Sequence, residues 1–412
     1  MKVAIVGGGF TGCMAALHSA REGHEVLLFE SSSRLGGVLL DVETDNGNYF
    51  NGCQYLRQGS VERLNWPNFF SKFSHEYGGI TSLGNNPKRI TDDCAQPSMD
   101  GMASLIDETP INASAFQRLK AYGPNAEQLI SWAQSYGDLK KLDWHCLIPM
   151  QLSRLHFPDD KNILRWKMES SRANDLLAIP RKMRGKSAEF AWLPNEGYNP
   201  VFVKMHQTLR ELGVNIRLNS PITPSLVSER FSIRLRSETI EADAIVWATN
   251  PLPLFNRMYG IRMDTPPIKM KLLVGNIRED TQIPVPLPYY WQVFDIDSNV
   301  VRLYVYKLGG VIRYSAETFD TTDDASAWLD LQKVMALCGL GSGHQLVSAV
   351  KQNRFVNFST TEFQAFEKFE ADLLQHGVIP GGWQHYGREE KVDMIIPLID
   401  HVLKCRAEVY HD

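Results

Sequence analysis

Three glycines, one glutamate and one arginine near the start of the chain have the types and spacing to do chemistry together. Gly7, Gly9 and Gly12 stand as G-x-G-x-x-G, with Phe10 and Thr11 filling the interval before Gly12. Gly7 permits a tight turn, Gly9 lets backbone approach a pyrophosphate, and Gly12 lets a helix lie close on a strand. A helix opening at such a turn offers unpaired N–H groups and a partial positive charge to a phosphate. Glu30 follows Gly12 by 18 residues, where a carboxylate can accept hydrogen bonds from ribose hydroxyls. Arg34 supplies a fixed cation just beyond it.

These residues need strand, turn, helix and strand in that order. Lys2–Val6 is a short β-rich apolar run, suited to a strand buried on both faces. Cys13 to Arg21 is helical in pattern, with Ala15, Ala16 and Ala20 small enough to lie on a sheet. Gly23 can end that helix, and 25–30 forms the next strand. Strand, glycines, helix, strand and acid together make a specific signal, where the glycine spacing alone is weak.

The 412 residues suggest two or three domains at about 150 each, and a net charge of −4 argues against a nucleic-acid partner. Apolar residues at 43% and charged residues at 22% are typical of a globular chain. No apolar run reaches the roughly 18–20 residues of a membrane span. Met1-Lys2 leads straight into the first strand with no secretory leader, so a cytoplasmic protein is expected. Cys13, Cys53, Cys94, Cys146, Cys338 and Cys405 lie far apart without CxxC or Cys/His ligand spacing. They are expected to be reduced thiols, with no metal site. His145 and Cys146 adjoin Trp144 without ligand partners, and no G-x-S-x-G elbow supports acyl transfer.

Further along, 61–191 is largely helical in pattern. Asn199-Pro200 opens a helix whose Phe202, Met205, Leu209 and Leu212 recur at helical spacing, with Gly213 closing it. Strands are expected at 214–218, 232–236 and 240–248. The 256–355 region, rich in β-branched and aromatic residues (272–275, 289–294, 300–306), suits a mostly antiparallel sheet. The expected units are 1–60, 61–191, 192–255, 256–355 and a C-terminal return over 356–412.

The run Ser31-Ser-Ser-Arg34-Leu-Gly36-Gly37 resembles the R-x-G-G extension of the glutathione-reductase-like flavoproteins. That group holds amine oxidases, protoporphyrinogen oxidase and UDP-galactopyranose mutase. The resemblance implies an α/β fold: a Rossmann-like FAD-binding domain, an interleaved mostly antiparallel substrate sheet and a helical insert. It implies FAD, with Ser31, Arg34, Gly36 and Gly37 along its diphosphate and ribityl chain. It also sets Ala248-Thr249-Asn250 at an Ala-Thr-Gly-like turn, where Asn250 replaces glycine and tolerates left-handed backbone.

Three further segments are similar to UDP-galactopyranose mutase. Ile179-Pro180-Arg181-Lys182 is followed by Leu193-Pro194-Asn195-Glu196-Gly197-Tyr198; Val293 to Leu303 includes Arg302; and Gly387-Arg388 precedes Asp393-Met394. By this likeness Arg302, Arg181 and Tyr198 serve the reacting end, and Gly387, Arg388 and Met394 close over the flavin. A helix opening after Asp393 would direct its N–H groups at the flavin pyrimidine edge. The likeness fails where mutases offer substrate tyrosines: one is missing between Arg388 and Asp393, and Phe355-Val-Asn-Phe358 stands at another.

Two functions follow from the resemblance. One is an FAD-dependent, amine-oxidase-like oxidoreductase, in which a small molecule passes a hydride to flavin N5. Lys269 or Lys271 is then a candidate beside N5, and Trp192, Tyr198, Tyr289, Tyr290, Trp291, Tyr304 and Tyr306 are candidates for an aromatic wall. No second strand–G-x-G-x-x-G–helix unit exists for NADPH. The alternative is a non-redox sugar-nucleotide mutase whose Arg302 and Arg181 hold a diphosphate. No feature of the sequence sets an oligomeric state.

Overall fold

The computed structural model describes residues 1–74, 76–82, 113–120, 126–147, 165, 167–169, 190–227, 230–234, 238–260, 262–263, 267–383 and 388–411. Lys2–Val6 lies at the centre of a five-stranded sheet, and all of it but Lys2 is buried. Across the sheet the order is Val378–Pro380, Ala244–Trp247, Lys2–Val6, Glu25–Phe29 and Asn215–Arg217, with every neighbouring pair parallel. A parallel sheet must be covered on both faces, and here helices do so. Phe10–Arg21 buries Cys13 to Leu17 on one face, beside the C-terminal helix Arg388–His411 with Val392, Ile395 and Ile399. Thr360–Gln375 covers the other with Phe363, Phe366, Phe369 and Leu373. That helix is fixed at its start by a capping box between Ser359 and Glu362, and each fully buried Phe contributes about 1.5–3 kcal/mol.

A second sheet of six strands runs in the order Gln345–Phe355, Ile268–Asn276, Val311–Phe319, Val300–Leu308, Tyr289–Phe294 and Glu76–Thr81. Its pairs are antiparallel except the last. Side chains alternate between its faces. Trp291, Val293, Leu303, Val305 and Ala316 pack on the helix Asp324–Leu337. Tyr290, Tyr304 and Tyr306 join the core beneath the parallel sheet, and Gln292, Arg302, Ser315 and Glu317 are buried by alternation on the same face.

The mixed α/β architecture agrees with expectation, with several local departures. Within the stretch expected to be helical, Phe70–Ser74 pairs with Phe190–Pro194, and Glu76–Thr81 takes the free edge of the six-stranded sheet. An unpaired edge recruits short segments whose own preference is weak. The single strand expected over 240–248 divides. Thr239–Ile240 belongs to a small antiparallel sheet with Thr223–Val227 and Arg230–Arg234, while Ala244–Trp247 enters the parallel sheet. The turn between them is held by Asp243, whose carboxylate accepts from the Lys2 N–H at 2.7 Å. Among the described residues only Asn65 and Asn219 have positive φ without being glycine. Asn250 is therefore not left-handed; its side chain instead accepts from the Leu252 N–H at 3.0 Å, opening the helix Leu252–Tyr259.

Candidate functional site

The glycine turn sits at the carboxyl edge of the parallel sheet, between the end of Lys2–Val6 and the start of Phe10–Arg21. Gly7 has φ +106°, and a Cβ there would lie 2.9 Å from the Ala248 carbonyl oxygen and 3.1 Å from the Thr249 Cβ. A Cβ on Gly12 would meet the Gly7 oxygen at 1.9 Å, so only glycine allows the helix this close. Gly9 is different: nothing lies within 4 Å of where its Cβ would be. Gly9 precedes a helix with no side-chain cap and no acid in its first turn, so its N–H groups face space suited to an anion. That cradle fits the pyrophosphate of a dinucleotide.

Around it the side chains are committed as follows. Glu30 accepts from the Gly8 N–H at 2.7 Å and, with its other oxygen, from the Ser32 N–H at 2.8 Å and the Ser31 hydroxyl at 3.2 Å. This ties the acid to the turn, and a carboxylate retains lone pairs for further donors. Gly36 donates to the Gly8 oxygen at 2.8 Å, and a Cβ on Gly37 would stand 3.1 Å from the Gly9 Cα. The Arg34 side chain lies on Glu43 at 2.7 Å, and that carboxylate also accepts from the Asn199 side chain.

The floor of the six-stranded sheet bears on the expected role of Arg302. Arg302 is buried, with its Nε 2.9 Å from Glu317 on the neighbouring strand. A guanidinium already neutralised in the interior is no free cation for a diphosphate. Arg181 lies outside the described residues, as does Gly387. Lys271 is buried in a network with Asp324 at 2.8 Å, Asp320 at 3.2 Å and the Thr322 carbonyl, and Lys269 is exposed. Of the aromatic candidates, Tyr289 and Trp291 face the Asp324–Leu337 helix instead.

Tyr198 and Tyr304 are fully buried against Phe50, at ring distances of 5.5 and 6.5 Å. Neither hydroxyl has a hydrogen-bond partner among the described residues. Burial pushes both phenols well above their ordinary range, so they stay protonated.

The C-terminal helix begins at Arg388, five residues before Asp393. The N–H groups after Asp393 are therefore spent inside the helix, and Asp393 pairs with Arg63 at 2.6 Å. Arg388 donates to the Tyr55 carbonyl at 3.0 Å, while Glu389 and Glu390 turn to Arg57. Burial, and then the neighbouring Arg388, lower the Lys391 amine to about 8. Lys391 and Met394 pack on Gly382, just past the strand Val378–Pro380.

Two groups escaped the sequence reading. Asp41 is buried, accepts from the Asn199 N–H at 3.0 Å and donates its own N–H to the Asn199 side chain at 3.1 Å. Burial raises its carboxyl to about 6. Gly197 at φ +93° makes room for it, since a Cβ there would touch the Asp41 carboxylate at 2.4 Å. Asn51 bridges the Val38 carbonyl and Gln352. A buried acid opposite the start of a helix is a signal the Asn199-Pro200 pattern could have prompted; an isolated asparagine in a loop offers none.

Comparison with known proteins agrees with this architecture. The sequence model for NAD(P)-binding Rossmann-like domains matches residues 5–88. A 4,4'-diapophytoene desaturase of Staphylococcus aureus (strain COL) is 42% identical over 45 residues, 11% of this chain and only 9% of that protein. Solved structures align over nearly the whole length. A reduced UDP-galactopyranose mutase has TM-score 0.67 at 12% identity, covering 98% of this chain and 96% of its own. A cofactor-binding redesign of putrescine oxidase has TM-score 0.64 at 15% identity, covering 98% and 99%. A fatty acid isomerase from P. acnes that produces CLA has TM-score 0.58 at 13% identity, covering 97% and 98%. At these identities the likeness is one of fold: this chain has the Rossmann-like, two-sheet fold that all three share.

Proposed function

We propose that this protein is an FAD-dependent oxidoreductase acting on a small molecule. The observation that carries the reading is the Gly9 cradle, an uncapped helix start without acids beside space that no side chain fills. Gly7, Gly9, Phe10, Thr11 and Gly12 would hold the diphosphate by backbone, with Glu30 and Ser31 on the ribose side and Gly36, Gly37 and Thr249 along the chain. Arg388 and Met394 would border the far end from the first turns of the C-terminal helix. FAD, once bound, supplies the hydride acceptor; the chain orients the substrate and excludes water. The buried face carrying Tyr290, Tyr304 and Tyr306 suits a wall beside it.

The Arg302–Glu317 pair argues against the sugar-nucleotide mutase alternative, since the cation assigned to the diphosphate is already neutralised. The described cysteines are all free, which favours a reducing, cytoplasmic setting. Among the described residues no helix is long and apolar enough to cross a membrane.

The test is reconstitution. Purified protein mixed with FAD should retain a yellow chromophore through gel filtration, and candidate amines or alkanes bearing a removable hydride should bleach it without oxygen. Protein that binds NAD and excludes FAD would overturn the reading. Ring contraction of a UDP-hexose by the reduced protein, with no net redox change, would restore the mutase.

A further inference from the structure

Two pairs of hydrogen bonds, linked by the backbone from Gly36 to Val38, join the six-stranded sheet to the glycine turn. Gln352, on the strand Gln345–Phe355, donates from Nε2 to the Asn51 side-chain oxygen at 2.6 Å. Asn51 then donates from Nδ2 to the Val38 carbonyl at 3.2 Å. Two residues before Val38, Gly36 donates to the Gly8 oxygen at 2.8 Å, and Gly8 donates to Glu30 at 2.7 Å. The amide of Asn51 is used at both ends, so its orientation is fixed and no other residue type fills both roles at that length.

Asn51 itself is anchored. The preceding Phe50 N–H donates to the Tyr306 hydroxyl at 2.7 Å, and the Phe50 carbonyl accepts from Ser315 at 2.6 Å. Val38 itself gains little from apolar packing, being 68% exposed, whereas Leu39 next to it is buried in the core. Gly37 between Val38 and Gly36 lies on Gly9, the residue whose surroundings are open. Loosening Val38 therefore moves one wall of that open space.

Resting on the FAD reading above, we propose that Asn51 and Gln352 are positioning residues: their amide relay locks the Gly36–Leu40 segment as a wall over the bound dinucleotide and sets how slowly it leaves. Neither side chain is assigned a contact with the reacting atoms. The relay couples the substrate sheet to cofactor retention, so a shift of the strand carrying Gln352 is felt at the glycine turn.

The experiment uses FAD-loaded full-length protein and follows recovery of free-flavin fluorescence after dilution. N51A and Q352A should each speed FAD release about tenfold, the worth of one to two net hydrogen bonds. The double variant should be no faster than the faster single, because both break the same relay. The bonds exist without cofactor, so the cofactor-free variants should lose a little stability in urea melts, and the FAD-loaded variants should lose more, which a merely structural role would not allow. Unchanged release in both singles, effects that multiply in the double, or equal losses with and without FAD would each overturn the relay. Q352A, on a half-buried strand position, serves if N51A does not fold. Wild-type protein that takes up no FAD would overturn the cofactor reading, and the relay with it; normal uptake with unchanged release overturns the relay alone.

Discussion

Gly9→Ala separates a glycine kept for folding from one kept for a ligand. Gly9 has φ −70° and ψ −178°, backbone that alanine adopts freely, and an added Cβ meets nothing within 4 Å. The cofactor-free variant should therefore be as stable as wild type, or more so by about 0.4–1 kcal/mol through the unfolded chain. If a diphosphate rests on this turn, the same methyl occupies its place and pushes it off one or two N–H donors. Each hydrogen bond to a charged oxygen is worth about 1.5–3 kcal/mol. A loss of about 2–4 kcal/mol weakens binding about 30- to 700-fold. Gly12→Ala is the contrasting control: its Cβ would sit 1.9 Å from the Gly7 oxygen, so it should destabilise the apo protein by about 1–3 kcal/mol or more. Urea melts of apo protein and quenching of FAD fluorescence on titration measure both quantities. Wild-type FAD affinity in G9A would refute the reasoning, as would an unfolded G9A.

Burial raises the Asp41 carboxyl from 3.8 to about 6, so the native state holds that proton more tightly than the unfolded chain. Its stability contribution is greatest below the unfolded value and is lost as pH rises through the folded one, up to about 3 kcal/mol. D41N should gain on wild type in urea melts between about pH 4 and 7; an unchanged difference would count against it. E317A removes the buried carboxylate 2.9 Å from the Arg302 guanidinium and should cost about 3–5 kcal/mol, with most of that recovered in R302M/E317A by the same melts. E30A removes the acceptor of the Gly8 and Ser32 N–H groups and should weaken FAD at least about tenfold by titration.

The first thirty residues were legible because their signal is local. A buried parallel strand is a continuous apolar run, and the glycine spacing follows it directly. The helix expected from Asn199-Pro200 was legible for the same reason, with Gly213 at φ +81° closing it, but it spans Tyr198–Glu211 with Gly197 as its N-cap. The Asn199 side chain does not cap it because it is committed to the Asp41 N–H and Glu43. Val378–Pro380 was not: three residues carry no period, and they become a strand only by pairing with Ile245 to Trp247. Glu76–Thr81 likewise owes its conformation to a partner, Tyr289–Phe294, more than two hundred residues away. The start of the C-terminal helix was misplaced because Glu389 and Glu390, good first-turn residues, were read through a resemblance to another sequence instead of through their own pattern.

Arg302 shows a site-level error that the chain itself could have prevented. Gly309-Gly310 forms a two-residue hairpin with φ +60° and +84°, the backbone such turns demand. That turn sets Leu308 opposite Val311, and counting outward along the ladder brings Arg302 opposite Glu317, as observed. A buried cation facing a buried acid is neutralised before any substrate arrives. The consequence reaches the chemistry. Arg302 faces Glu317 and Arg313 donates to the Asn48 carbonyl, so the described part of the sheet floor presents mainly aromatic rings and protonated phenols, whereas the glycine turn keeps an unneutralised helix start. On the proposed reading, that helix start at the carboxyl edge of the parallel sheet is the place for one diphosphate, which a flavin dinucleotide would supply. A nucleotide sugar would need a second such grip over the other sheet, where Arg302 already faces Glu317 and Arg313 is held by the Asn48 carbonyl and the Tyr49 ring.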